Sequence, residues 1–110
     1  MLLFAVTIVA ANRRFTLVID AGHGGGDHGA PGAYSHEKDL TLKYALAFGR
    51  YIEANCPDVR VIYTRKTDVF VTLAGRADIA NKAGADLFMS FHINAVTGSK
   101  SVRGFQSWTL

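Results

Sequence analysis

Six of the chain's 11 glycines fall between Gly22 and Gly32, in a segment reading AGHGGGDHGAPG from Ala21 onward. Glycine loses conformational entropy in helices and strands alike, and Pro31 lacks a main-chain donor, so this stretch is neither a helix nor a regular strand. It is a loop in which main chain comes close to something. It also follows directly on Thr16 to Asp20 (TLVID), a short apolar, β-branched run that reads as a buried strand. A strand delivering its chain into a glycine loop is the frame into which the remaining sequence has to fit.

That remainder alternates helical and extended patterns. From Asp39 to Asn55, Leu40, Tyr44, Phe48 and Ile52 recur every four residues, with Leu42, Ala45 and Leu46 widening the stripe, which predicts an amphipathic helix with Ser35 as its N-cap and Pro57 just past its end. Val59 to Thr64 reads as a second strand, and Thr72 to Ala83 as a short alanine-rich helix closed by Gly84. Asp86 to His92 (DLFMSFH) reads as the most buried strand by composition, and Arg103 to Leu110 as a further strand carrying Phe105 and Trp108 into the sheet core. The predicted class is therefore α/β: a three-layer sandwich with a mainly parallel sheet in βαβαβ order. In such sheets ligands gather at the carboxyl ends of the strands, and the first and third strands end at Asp20, three residues before His23, and at His92. If those strands are neighbours, their imidazoles meet on one edge.

At 110 residues with 49% hydrophobic content, the chain suits one small domain. Its net charge of +3 is spread from Arg13 to Arg103 with acids between, so no nucleic-acid patch is expected. Cys56 is the sole cysteine and reads as a small residue at a helix end. Residues 1–11, MLLFAVTIVAA, are too short for a stable membrane span of roughly 20 residues. Their length, and the small residues at Val9-Ala10-Ala11, read as a clipped or atypical export signal lying outside the fold, the alternative being a buried first strand.

Gly24, Gly26 and Gly29 satisfy G-x-G-x-x-G, yet no helix opens there and no acidic residue ends the second strand, so nucleotide binding is disfavoured. His23, Glu37 and His92 offer a different chemistry. Two histidines and one carboxylate make a zinc set with a fourth position open for water or a carbonyl, although a histidine ending an apolar strand can equally be a satisfied core residue. His36 beside Glu37 is the fallback ligand, and His28 reads as an exposed loop residue.

In order along the chain, Ile19-Asp20-Ala21-Gly22-His23-Gly24-Gly25, Glu37-Lys38-Asp39-Leu40, Thr64-Arg65, Leu73-Ala74-Gly75-Arg76 with Ala80-Asn81, and Ala85-Asp86-Leu87-Phe88-Met89-Ser90-Phe91-His92-Ile93-Asn94-Ala95 resemble the zinc-dependent N-acetylmuramoyl-L-alanine amidases of the AmiC-like cell-wall hydrolase type. The resemblance covers about residues 15 to 109. It implies that His23, Glu37 and His92 bind zinc, and that the substrate is peptidoglycan, cut between N-acetylmuramic acid and L-alanine. It also implies an exported protein of the periplasm or cell envelope, with room for an activator protein; it leaves the oligomeric state open. The family's second active-site glutamate belongs to a late strand, beyond Leu110, and no glutamate follows Glu53. Residues 15–110 are accordingly expected to be a catalytic domain lacking its C-terminal part, holding zinc but hydrolysing weakly or not at all. The alternative is a catalytically silent zinc- or peptidoglycan-binding module.

The remaining expectations concern supporting residues. Asp20 is expected to orient the loop or a ligand imidazole from behind. Asp27 is expected to face solvent from a mobile loop. Arg65 is a candidate for a substrate carboxylate or a surface ion pair, Arg76 for a tie to Asp78 or Asp68, and Asn94 for substrate contact or a hydrogen bond to a loop carbonyl.

Overall fold

The computed structural model describes residues 13–95, 98, 101, 104 and 106–109. Five elements follow in the predicted order: β1 (Phe15–Ala21), α1 (Glu37–Asn55), β2 (Val59–Tyr63), α2 (Leu73–Ala83) and β3 (Leu87–Phe91). The strands form one parallel sheet in the order β2-β1-β3. This is the expected α/β fold, with β1 at the centre. Because β2 and β3 flank it on opposite sides, the strand order reverses at β1, which is where open parallel sheets place their ligand crevices.

The alternation of β1 splits its side chains between two environments. Leu17, Ile19 and Ala21 pack with Ala45 of α1 to form the buried core, joined by Phe48, Val61 and Phe91. Asp20, one residue out of phase, faces α2 and bonds to Arg76 there. Helices therefore cover both faces of the sheet. The buried positions of α1 are Glu37, Thr41, Ala45 and Gly49, one helical turn apart, so its seam lies beside the predicted Leu40/Tyr44/Phe48/Ile52 stripe. Small side chains let the helix approach closely: a Cβ on Gly49 would lie 2.1 Å from the Tyr63 hydroxyl. Tyr44, on the predicted stripe, is exposed.

The cap of α1 also differs from expectation. His36 takes the N-cap position and makes no side-chain cap bond, while Ser35 lies one residue earlier. Alpha 2 is closed by Gly84 as its sequence suggests, in left-handed conformation, while Thr72, read as its first residue, is instead its N-cap, the side chain accepting from the Gly75 N–H. Cys56 ends α1, its N–H donating to the Ile52 carbonyl.

Two strand expectations are corrected. Beta 3, read as the most buried, is the most open of the three: Leu87, in register with Leu17 on the α1 face, and Phe88, on the α2 face, are both over 40% exposed, so neither helix covers the start of the strand. Of the expected strand Arg103–Leu110, residues 104 and 106–109 form no strand, and Trp108 is exposed instead of packed in the core. Phe105 and residues 1–11, with the expected export signal, lie outside the described residues.

Candidate metal centre

The carboxyl ends of β1 and β3 bring the predicted ligands together. His23 leaves β1 two residues past Ala21, His92 follows Phe91 directly, and Glu37 is the first residue of α1, so three separate elements each deliver one donor. The His23 and His92 rings meet edge to face with centroids 4.9 Å apart. Gly22 makes room for this: any Cβ there would lie 2.4 Å from the His92 ring. His23 Nε2 lies 3.2 Å from Glu37 Oε2, and His92 Nδ1 lies 3.2 Å from Glu37 Oε1. One ligand atom from each residue falls within 4.8 Å of the others.

Glu37 is buried, and its carboxylate is held by main chain. The Ala30 N–H donates to Oε2 and the Ile93 N–H to Oε1, each at 2.8 Å. Burial opposes ionisation, but these two donors and the neighbouring imidazoles outweigh it and hold the carboxyl below the usual glutamate range. A carboxylate thus faces two imidazole nitrogens across about a hydrogen-bond length. A tetrahedral zinc with bonds of about 2.0 to 2.1 Å sets its ligand atoms on the order of 3.3 Å apart, so each imidazole already lies at that distance from one Glu37 oxygen, and the three donors, within 4.8 Å of one another, would draw together around an ion. The donor set and its spacing fit zinc.

Asp20 sits behind the loop, and its role is narrower than expected. It accepts from Thr64 Oγ1, Ser90 Oγ and Arg76 Nη1, all at 2.6 Å, and touches neither imidazole. Burial opposes its charge, yet the bonds from Ser90, Thr64 and Arg76 keep its carboxyl below the ordinary aspartate range. Its influence on the site passes through Arg76. That side chain reaches over from α2 to donate to the Ala21 carbonyl at 2.7 Å and the His23 carbonyl at 2.8 Å, and has no bond to Asp78 or Asp68. Sequence periodicity carried no sign of this contact, since the partners are main-chain oxygens.

Arg65 is the clearest departure. Instead of meeting a substrate or the surface, it is buried and donates to the carbonyls of Ala21, Gly22, Lys38 and Thr67 and to Thr41 Oγ1. It staples the loop to α1, with Thr41 Oγ1 donating to the Gly22 carbonyl at 2.7 Å. Asp27 is exposed, as expected, and it is also tied into the loop. Gly24 and Asp27 exchange two main-chain hydrogen bonds, and the Asp27 carboxylate lies 2.9 Å from His23 Nδ1. Asn94 is exposed and makes no side-chain hydrogen bond among the described residues; it borders a cleft of about 210 Å³ with Glu37 and Ile93. His28 and His36 stack on each other, 4.7 Å between centroids, away from the cluster. A larger groove of about 690 Å³ runs from His23 and His92 between α2 and β3, past Phe70, Leu73 and Phe88.

A parallel α/β sheet with a His-Glu-His donor set at its strand-order reversal defines a domain with a candidate metal centre at its carboxyl edge. Residues 17–110 match the N-acetylmuramoyl-L-alanine amidase family (Amidase_3), and the chain belongs to that family. The sporulation-specific N-acetylmuramoyl-L-alanine amidase of Bacillus subtilis is 40% identical over 92 residues, which are 84% of this chain and 34% of that protein. An N-acetylmuramoyl-L-alanine amidase from Clostridium difficile superposes with a TM-score of 0.79 at 33% identity, over 84% of this chain and 50% of that one. The CwlD amidase of Clostridioides difficile, solved in complex with the GerS lipoprotein, gives 0.71 at 32% identity, over 78% and 51%. The chain therefore spans about a third of this curated relative and about half of these solved chains.

Proposed function

We propose that His23, Glu37 and His92 bind zinc and that the chain acts on peptidoglycan at the amide between N-acetylmuramic acid and L-alanine. The observation that carries this reading is the convergence of two imidazoles and one carboxylate within 4.8 Å of one another, the donor set of a catalytic zinc. Zinc, when bound, supplies Lewis acidity to the scissile carbonyl and strengthens water as an acid. The chain's own residues do the rest. Main-chain donors from Ala30 and Ile93 keep Glu37 ionised and aimed, and His92, half exposed, leaves the site accessible on the groove side.

Amide hydrolysis also needs a group to take and return a proton. Asp20 is committed to Arg76, Thr64 and Ser90, and Asp27 to His23 and the Gly29 N–H. The chain's other glutamate, Glu53, sits on α1 and accepts from the Tyr63 hydroxyl. With no uncommitted carboxylate at the cluster among the described residues, we expect the 110 residues to hold zinc and to hydrolyse slowly. The same observation favours a second reading, a silent zinc- or peptidoglycan-binding module. The apolar run at residues 1–11 supports export to the cell envelope. The lipoprotein bound to CwlD supports a protein partner for this chain as well. No helix among the described residues is long and apolar enough to cross a membrane.

Zinc content of the purified chain, beside His23→Ala and His92→Ala, tests the site. One zinc per wild-type chain and a drop in affinity of at least about 100-fold in either variant is expected, and stoichiometric zinc in either variant would overturn the ligand assignment. Release of stem peptide from purified peptidoglycan then separates the readings: slow, chelator-sensitive turnover supports the amidase, and binding without turnover supports the module.

A further inference from the structure

His23 is the one non-glycine residue with positive φ among the described residues, at 61°. That conformation costs an L-residue on the order of 1 to 2 kcal/mol, so the fold must hold it there. Arg76 does so through the main chain, donating to the His23 carbonyl at 2.8 Å while itself fixed by Asp20. The imidazole is held separately. Its Nδ1 lies 2.9 Å from Asp27 Oδ2, and Asp27 is anchored in turn: its Oδ1 accepts from the Gly29 N–H, and its main chain exchanges bonds with Gly24 at 2.9 and 3.0 Å.

We propose that Asp27 is a positioning residue that fixes the tautomer and ring orientation of His23, so that Nε2 presents its lone pair toward Glu37 before any metal arrives. A carboxylate only accepts, so Nδ1 carries the proton in this contact; the neutral ring has a single N–H, and the 2.9 Å contact to Asp27, shorter than the 3.2 Å from Nε2 to Glu37 Oε2, places it on Nδ1 and leaves Nε2 with its lone pair. In the metal-free chain two acceptors then face each other, an arrangement that favours the opposite tautomer, with Nε2–H donating to Glu37. Asp27 is the group that resists this switch. It exchanges a local preference for readiness to ligate, as carboxylates behind ligating histidines do. The link to metal rests on the zinc reading above; the tautomer itself does not.

The test is long-range proton–nitrogen NMR of the histidine rings in the metal-free chain, with pH raised until the His23 signals stop moving, together with zinc affinity by chelator competition. Wild type is expected to show Nδ1–H on His23. Asp27→Ala should move the population to Nε2–H and weaken zinc binding about 10- to 100-fold, with the thermal midpoint of the metal-free chain shifted by no more than about 3 °C. Asp27→Asn retains an acceptor without the charge and should fall between the two; it also reads the effect should the alanine variant lose its fold. An unchanged tautomer, or zinc affinity within threefold of wild type in both variants, overturns the positioning role. Absence of zinc binding in wild type would instead remove the metal reading, and the tautomer measurement would still decide what Asp27 does.

Discussion

The two ends of the α2–β3 groove are built on opposite principles. At the His-Glu-His end every buried side-chain nitrogen and oxygen among the described residues has a partner, and two buried arginines, Arg65 and Arg76, tie the glycine loop to α1, α2 and the strand ends. At the far end Leu73 is 86% exposed and Phe70 and Phe88 are about half so, with apolar surface open to solvent. Polar bonds to main chain are thus concentrated where the two imidazoles and Glu37 converge, in place of the apolar packing that orders the rest of the sheet. A satisfied buried network specifies one geometry, whereas the same groups left half-paired are costly, so this end should respond to substitution in an all-or-none way.

The largest effect should come from breaking the Asp20–Arg76 pair. Arg76→Met leaves Asp20 buried without its cation and is expected to cost about 3 to 5 kcal/mol in denaturant unfolding. A loss below about 1 kcal/mol would show that this end is not held by polar bonds. Acid titrates the same end more gently. Asp20 and Glu37 both ionise more readily in the folded chain than in the unfolded one, so their stabilisation is complete above the unfolded carboxylate range and is lost as pH falls through the lower folded values. Stability should therefore be flat above about pH 5 and decline below about pH 4, and Asp20→Asn should reduce that decline.

Gly22→Ala sharpens the comparison within the site. The added Cβ pushes the His92 ring, which is half exposed and free to swing away, so zinc affinity should fall at least about tenfold, roughly 1.4 kcal/mol, while metal-free stability changes little. The smallest effect belongs to the open end: Leu73→Ser should stay within about 0.5 kcal/mol of wild type. A loss above about 1.5 kcal/mol there would mean that the apolar end is covered in solution and that the contrast is false.

The legibility of the chain follows the same division. Elements driven by apolar periodicity could be read: β1, α1, β2 and α2 lie within a residue or two of expectation, because burial imposes a period of two or 3.6. The meeting of His23, Glu37 and His92 was also readable, since these residues are hard to explain otherwise at strand and helix ends. Arg65, Arg76 and Asp27 were not, because their partners are carbonyls or a ring brought close by the fold, and main-chain acceptors leave no mark in sequence. The exposure of β3 escaped for the converse reason. Composition reports what a strand could bury, and only its neighbours decide what it does bury, which also left Trp108 in solvent.

The central position of β1 has a consequence for how the chain reaches this state. Beta 1 pairs with segments on the order of 40 and 70 residues further along, and among the described residues no strand pairs with its neighbour through a hairpin. The helices can form early, but no sheet hydrogen bond appears until a long chain closure has been made. Folding should therefore be slow for a domain of this size. During that delay the apolar stretch Leu17-Val18-Ile19 waits unpaired, the segment most open to association with another copy.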